Sequence, residues 1–257
     1  MQSSDSEVYL QKKRRFAKML TIFGRKPVLE ALQDSSIPLF RLHLSDSNKS
    51  AAILDDIICL AQSRGLELIY HDKKSLSRVS KNAKQDQGVA LDICCDGFTS
   101  FDDFSAQLPK RFQIIALDGI TNPQNLGMII RSVCASPATA VLMPEKGCAR
   151  IDALVIKASA GTVFKARLIR CQSLVEALQD LRSAGTQIVS LEAEAQHSIA
   201  TFTPPERAVF VMGNESSGVS REVQDVCTQG LSIPMANGVE SLNVAVAASL
   251  IAFRSLF

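Results

Sequence analysis

The chain lacks any apolar run approaching the length of a membrane span. A spanning helix needs about 20 consecutive apolar residues. The most apolar stretch, Val244–Phe253, has ten, and Ser249 among them is polar. The opening "MQSSDSEVYLQKKRRF" has no apolar stretch of the kind a secretory signal needs, and Asp5 and Glu7 speak against a transit peptide. None of the seven cysteines is spaced as Cys-x-x-Cys, their number is odd, and Cys94 and Cys95 are adjacent. A zinc site and a disulfide framework are both poorly supported. Reduced thiols in the cytoplasm are expected instead. Histidine is scarce: His43, His71 and His197 form no metal-ligand pattern, so no metal is expected. They read as ordinary surface or hydrogen-bonded side chains. No Gly-x-Gly-x-x-Gly follows a strand, which counts against a nucleotide-dependent oxidoreductase.

What is present suits a globular protein of one large or two smaller domains: 257 residues, 46% hydrophobic and 21% charged. Net charge is only +2, but it is unevenly placed. Seven basic residues and no acidic one lie between Tyr9 and Lys26: Lys12, Lys13, Arg14, Arg15, Lys18, Arg25 and Lys26. Such a block either contacts a polyanion or is a solvated tail, and charge alone leaves both open.

Four segments follow from the patterning. Residues 1–20 read as a basic tail. Residues 21–93 read as a small α/β domain, with strands in "PLFRLHLS", "LELIYH" and "QGVALDICC" and helices in "PVLEALQ", "AAILDDIICLAQSRG" and "KKSLSRVS". Residues 94–113 are polar, carry Gly, Ser and Pro, and read as a linker. Residues 114–257 alternate apolar strands ("IIALDG", "TAVLMP", "ARLIRC", "TQIVSLEA", "AVFVMG", "LSIPM") with helices near 125–136, 150–159, 173–184, 220–228 and 242–256. That alternation predicts a parallel sheet covered on both faces. Ligands bind such sheets at the carboxyl ends of the strands.

Three loops at those ends carry polar residues. In "LDGITNPQNLGMIIRSV", Asn125 is a candidate helix cap and Arg131 is either a surface residue or a functional one. In "VFVMGNESSGVS", Gly213 would let a ligand approach the backbone, and Glu215 stands immediately after a buried strand. In "LSIPMANGVESLN", Ser241 and Asn243 are candidate caps of the last helix, whose free N–H groups are available to a ligand.

Taken together, these stretches resemble the SpoU/TrmH family of RNA ribose 2′-O-methyltransferases. The carrying residues are Asp118, Asn122-Pro123, Asn125, Gly127 and Arg131; then Gly213, Glu215 and Gly218; then Ile233-Pro234-Met235 and Ser241-Leu242-Asn243. "IFGRKPVLEAL" and "QGVAL" are similar to the ends of the family's N-terminal substrate-binding domain. The resemblance implies several things. The C-terminal domain would be a deep trefoil knot, an exception to ordinary connection rules. S-adenosylmethionine would be the cofactor, held by Gly213, Ile233, Met235, Ser241 and Leu242. Asn125, Arg131, Glu215, Ser241 and Asn243 would be catalytic, the others orienting Arg131 and the ribose. The substrate would be RNA, a guanosine of large-subunit ribosomal RNA ahead of transfer RNA, and the enzyme a homodimer; the alternative is a non-catalytic RNA-binding or ribosome-assembly protein of the same fold, against which Asn125, Arg131, Glu215 and Asn243 argue. Four positions depart from the family pattern: Asn122 for aspartate, Asp86 for histidine, Ser216 for glycine and Pro137 for glycine.

Overall fold

The structure is a computed structural model that describes Phe16, residues 18–35 and residues 37–256. The expectations for residues 1–15, including Lys12 to Arg15, lie outside the described residues. The chain divides into two compact units at Asp96 and Gly97, with Ile151–Ala153 grouped with the first.

The first unit contains β1 (Met19–Phe23), α1 (Arg25–Gln33), β2 (Leu39–Ser45), α2 (Ala52–Ser63), β3 (Glu67–His71), α3 (Lys73–Ser80) and β4 (Val89–Cys94). Its sheet has the order β1-β4-β2-β3. Central β4 runs antiparallel to both its neighbours, and β2 and β3 are parallel. The strand β1 corrects the tail boundary at residue 20: "MLTIF" alternates half-buried and buried residues against β4. Its polar flank and the preceding cations hide that short period in the sequence. Helix α2 ends as its sequence foretells at Gly65, where Gly65 N–H bonds Gln62 O (2.9 Å) and Leu66 N–H bonds Ala61 O (3.0 Å). This pair of bonds satisfies carbonyls that a helix end would otherwise leave open.

A polar line crosses this sheet. Thr21 donates to Asp92 Oδ1 (2.6 Å), His43 Nε2 lies 3.0 Å from Asp92 Oδ2, and His43 Nδ1 lies 2.9 Å from His71 Nε2. Both His43 and Asp92 are buried. A carboxylate only accepts, so His43 donates from Nε2 to Asp92, leaving its Nδ1 to meet His71. Two of the three histidines are thus hydrogen-bonded side chains, as expected.

The second unit begins inside the stretch read as a linker. Phe98–Ser100 is an edge strand (β5) and Phe101–Ser105 a short helix (α4), with Phe98 fully buried. Three residues are too few to show alternation, and Ser100, which looks like loop, caps α4 through Asp103 N–H (3.1 Å). Then come β6 (Phe112–Leu117), α5 (Pro123–Ala135), β7 (Ala140–Pro144), α6 (Ala153–Ala158), β8 (Leu168–Cys171), α7 (Leu174–Ser183), β9 (Gln187–Leu191), β10 (His197–Ser198), β11 (Arg207–Met212), α8 (Arg221–Gln224), β12 (Gln229–Ser232) and α9 (Val244–Phe253). Strand β12 stops before the Ile233-Pro234-Met235 that had been read into it. Pro234 has no N–H to give a ladder. Helix α8 shrinks to one turn of the expected 220–228.

The eight strands are ordered β10-β12-β9-β11-β6-β7-β8-β5, and every pairing is parallel. Ile114, Ala116, Val209 and Val211 face the core shared with Leu178 and Val223 of α7 and α8. The alternate residues Ile115, Leu117, Phe210 and Met212 are buried as well. Burial on both faces explains the continuous apolar runs. Chain order reverses at β6, which has β7 on one side and the much later β11 on the other. That reversal is a topological switch point, the place where ligands of such sheets bind, outside the carboxyl ends.

Burial holds the His71 pKa below its usual 6.5, helped by the nearby His43 and opposed by Asp46 and Asp72. A histidine whose pKa is depressed on folding gives stability that is present above the unfolded value and is lost as pH falls through the folded one. Urea midpoints measured from about pH 7 down to about pH 5 are therefore expected to fall more steeply for the native chain than for His71→Gln. Parallel slopes would remove His71 as a source of acid sensitivity.

Candidate active site

The loops after β6, β11 and β12 leave the same end of a parallel sheet. The first opens α5. Asn122, and not Asn125, caps that helix: its Oδ1 accepts from Gln124 N–H (2.8 Å), with Pro123 next in the first turn. Proline suits that position because its missing N–H has no partner there anyway. Asn125 is thereby set free for another task and is buried.

Its Nδ2 donates to Glu215 Oε1, while its Oδ1 accepts from Asn243 Nδ2 (3.0 Å). Asn243 Oδ1 in turn accepts from Ala245 N–H (2.8 Å) and so caps α9. The direction of this chain is fixed at both ends. Glu215, as a carboxylate, can only accept, and a backbone N–H can only donate, so neither amide can be turned round without breaking a bond. Three of the five residues expected to be catalytic therefore meet: Asn125, Glu215 and Asn243.

The other two do not join them. Ser241 is exposed and leaves the capping to Asn243. Arg131 is exposed on α5, six residues beyond Asn125, which is about 120° round a helix. It shares the outer face with Gln124, Met128 and Ala135. The expectation that Asn125, Glu215 and Asn243 orient Arg131 is thus not met within one chain, and the six-residue spacing is the reason.

Gly213 has a packing reason beside the expected one. A Cβ there would lie 2.2 Å from Gly218 C and Val219 N. The space a side chain would need is filled by the returning loop. That loop is closed by reciprocal bonds between Asn214 and Gly218, both 2.9 Å. Asn214 is a residue that sequence reasoning missed. Its Oδ1 accepts from Ser216 N–H (2.9 Å), and its Nδ2 donates to Gly119 O (2.8 Å), tying the β11 loop to the β6 loop. An Asn ahead of a polar turn was the available signal. Asp118 makes a second tie, its Oδ2 accepting from Ser220 N–H (2.7 Å).

Gly127 is also a packing residue: a Cβ there would come 2.5 Å from Ala158 Cβ and 2.7 Å from Val155 O. On the far side α5 packs on α9, where Ser249 Oγ lies 2.7 Å from Ser132 Oγ. The small residues Ala245, Ala248 and Ala252 are buried there.

The loop from Ile233 to Leu242 leaves Met235 and Leu242 more than one-third exposed (37% and 38%), with Ile233 half-buried. Its apolar side chains and its backbone groups, so near the polar cluster, have the composition of a small-molecule wall. Burial raises the pKa of Cys148, whose Sγ lies 3.6 Å from Leu117 O, which disfavours its thiolate. Among the described residues no group of three or more His, Cys, Asp or Glu is gathered as a metal would need.

Residues 113–253 match the family described as SpoU rRNA methylase, and residues 21–94 match the domain described as RNA 2′-O ribose methyltransferase substrate binding. A Mycolicibacterium vanbaalenii protein named as an uncharacterized tRNA/rRNA methyltransferase is 32% identical over 233 residues, 90% of this chain and 74% of that one. Two crystal structures share the fold. The SpoU methyltransferase AviRb of Streptomyces viridochromogenes, in complex with the cofactor AdoMet, superposes with TM-score 0.61 at 22% identity, covering 93% of this chain and 90% of that one. An AdoMet-bound rRNA methyltransferase from Sinorhizobium meliloti gives TM-score 0.61 at 23% identity, covering 96% and 91%. With a family match over more than half its length, this chain belongs to the SpoU rRNA methylase family.

Proposed function

We propose that the chain transfers a methyl group from S-adenosylmethionine to a ribose 2′-hydroxyl in structured RNA, with a guanosine of large-subunit ribosomal RNA as the target. The observation that carries this reading is the polarised chain Ala245–Asn243–Asn125–Glu215 at the carboxyl ends of parallel strands. Asn125 at its centre is buried with both ends of its amide engaged, and Glu215 at its end is held at the surface. The ribosomal target is supported by the pairing of a substrate-binding domain with the methylase domain, and seven free thiols suit the cytoplasm.

The exposed Met235 and Leu242 and the backbone between them fit the apolar and hydrogen-bonding parts of a nucleoside cofactor. When bound, S-adenosylmethionine supplies an electrophilic sulfonium methyl and leaves as a neutral thioether. The chain's own residues do the rest. Ile233, Met235 and Leu242 exclude water, Gly213 keeps the β11 loop tight against the site, and Ser241 offers a hydroxyl at the loop's rim. Asn125 and Asn243 hold Glu215 in one orientation toward the ribose. Arginine stays protonated in proteins. Arg131 therefore acts as a cation that stabilises the developing alkoxide or grips the adjacent phosphate. The proton then leaves to RNA phosphate or water.

A homodimer is part of the same reading. Met128 on α5 and Val246 and Leu250 on α9 are exposed apolar residues on two packed helices (39%, 46% and 45%), and Arg131 shares the α5 face with Met128. A second copy covering that face would carry Arg131 into the interface, away from its own Asn125. The deep trefoil knot belongs to this reading too. Support for it comes from the way α9, last in the chain, lies against α5 with Asn243 bonded to Asn125.

Radiolabelled methyl transfer to total ribosomal and transfer RNA, followed by mapping, tests the activity. Ribosomal RNA is expected to be labelled at a 2′-oxygen; label confined to transfer RNA would replace the substrate. Arg131→Ala is expected to lower transfer by about two orders of magnitude or more while calorimetry shows cofactor binding retained. Near-normal turnover would sink the role given to Arg131. In sedimentation, the native chain is expected to be a dimer and Leu250→Asp a monomer; a native monomer would refute the interface. Removal of residues 1–15, stopping short of β1, is expected to weaken RNA binding and flatten its salt dependence. An unchanged slope would make that segment a solvated tail.

A further inference from the structure

Strand β9 lies between β11 and β12, and all three run parallel. The loop after β11 carries Glu215, and the loop after β12 runs from Ile233 to Leu242. The loop after β9 leaves the sheet at the same end, between those two, and its first residue is Glu192. Glu192 stands outside the polar chain of Asn125, Glu215 and Asn243. Two contacts fix it. Its N–H donates to Leu231 O of β12 (2.9 Å), one step beyond the end of β9. Ser190, a buried residue, donates from Oγ to Glu192 Oε1. The side chain is thereby folded back over Gly230 of β12, which pairs with Ser190. A Cβ on residue 230 would lie 3.0 Å from Glu192 Oε2 and 3.2 Å from its Cδ. The missing side chain at 230 gives the carboxylate its seat.

One oxygen of this carboxylate is used and the other is not. Among the described residues Oε2 has no hydrogen-bond partner, and no Lys, Arg or His pairs with Glu192. Closing a local turn needs only the Ser190 bond. The half-buried Glu192 therefore keeps an acceptor in reserve, at the end of the sheet where ligands bind. A negative acceptor without a cation rejects phosphate and suits a hydroxyl or an ammonium donor.

We propose that Glu192 accepts a hydrogen bond from a ribose hydroxyl of the bound S-adenosylmethionine. The proposal rests on the reading above that this molecule is the cofactor, and it adds a residue that selects the sugar. Strand order carries it. The reacting end of the cofactor belongs with Glu215 and Asn125, which follow β11 and β6. The apolar side chains of Ile233 and Met235, suited to a base, follow β12. Ribose joins those two parts of the molecule, and β9 is the strand between them. Neighbouring strands lie about 4.8 Å apart, the scale of one sugar ring. In other parallel sheets that bind nucleotides, an acidic side chain takes a ribose hydroxyl. A hydrogen bond to a carboxylate is stronger than one between neutral groups. Glu192 thus makes the site prefer an adenosyl to a deoxyadenosyl ligand.

Calorimetry on the full chain tests this. The ligands are S-adenosylhomocysteine, its 2′-deoxy and 3′-deoxy forms, and 5′-methylthioadenosine, which keeps the ribose but has no ammonium group. The native chain is expected to bind S-adenosylhomocysteine about tenfold or more tightly than at least one deoxy form. Glu192→Ala is expected to bind S-adenosylhomocysteine and 5′-methylthioadenosine about tenfold more weakly and to lose the preference for ribose. Glu192→Gln keeps the size of the side chain and an oxygen for Ser190, and is expected to lose part of the same preference. Glu194→Ala, which removes an exposed carboxylate of the same loop, is expected to follow the native chain. A ribose preference unchanged in both Glu192 variants overturns the proposal. So does an equal loss in Glu194→Ala. A loss with S-adenosylhomocysteine but not with 5′-methylthioadenosine also overturns it, by assigning the carboxylate to the ammonium group. Methyl transfer to total RNA separates the two readings. A native chain that methylates RNA while Glu192→Ala keeps the ribose preference ends this proposal alone. A native chain that methylates nothing, with the preference still lost in Glu192→Ala, ends the proposed transfer alone.

Discussion

A carboxylate that can only accept and a backbone N–H that can only donate set the direction of everything between them. Glu215 and the first turn of α9 are the two ends, and Asn125 and Asn243 are the links. Each amide has one face toward each neighbour, so the loops after β6, β11 and β12 hold a single mutual arrangement. Replacing Asn243 would leave the buried Asn125 Oδ1 without its partner, at a cost of about 1–3 kcal/mol for a buried acceptor. The caps of α5 and α9 are drawn into the same arrangement, because Asn122 must hold its helix start for Asn125 to stay free.

Around that chain, close packing does more than flexibility. Gly213 is there because Gly218 and Val219 return against it, and Gly127 because residues 155–159 press on α5. Asn214 and Asp118 lash the β11 loop to the β6 loop. These ties keep an exposed carboxylate in register on a surface loop. In the first unit the polar line Thr21–Asp92–His43–His71 is likewise internally satisfied. It uses both buried polar side chains and an edge histidine, without any metal-like grouping.

Much of this was legible beforehand, for physical reasons that can be named. Apolar runs long enough to show two buried faces announced the parallel sheet, and the rule of carboxyl ends pointed to the right loops. Asn125, Glu215 and Asn243 were found because each follows a strand or starts a helix. Short elements escaped: Phe98–Ser100 has too few residues to display a period, and Met19–Phe23 sits behind a cationic block. The roles of single residues escaped when they depended on a distant neighbour. Nothing local says that Val219 fills the space over Gly213, or that Asn122 takes the cap and releases Asn125. The facing of Arg131 was computable from helix geometry, six residues from Asn125, but which side of α5 would be covered was not.

The bond between Asn125 and Asn243 spans 118 residues of chain, and β6 waits for β11 to gain its second neighbour. Contacts so remote in sequence are formed late, because long loops must close before they are rewarded. During synthesis the first unit and the strands β5 to β8 exist well before the last helix does. A chain stopped short of Asn243 therefore carries Asn125 and Glu215 but has nothing to bridge from Asn125 to α9. The order of manufacture thus completes the first unit early and the polar cluster of the second only when the last helix emerges, so an unfinished chain holds Asn125 and Glu215 without the link that fixes them.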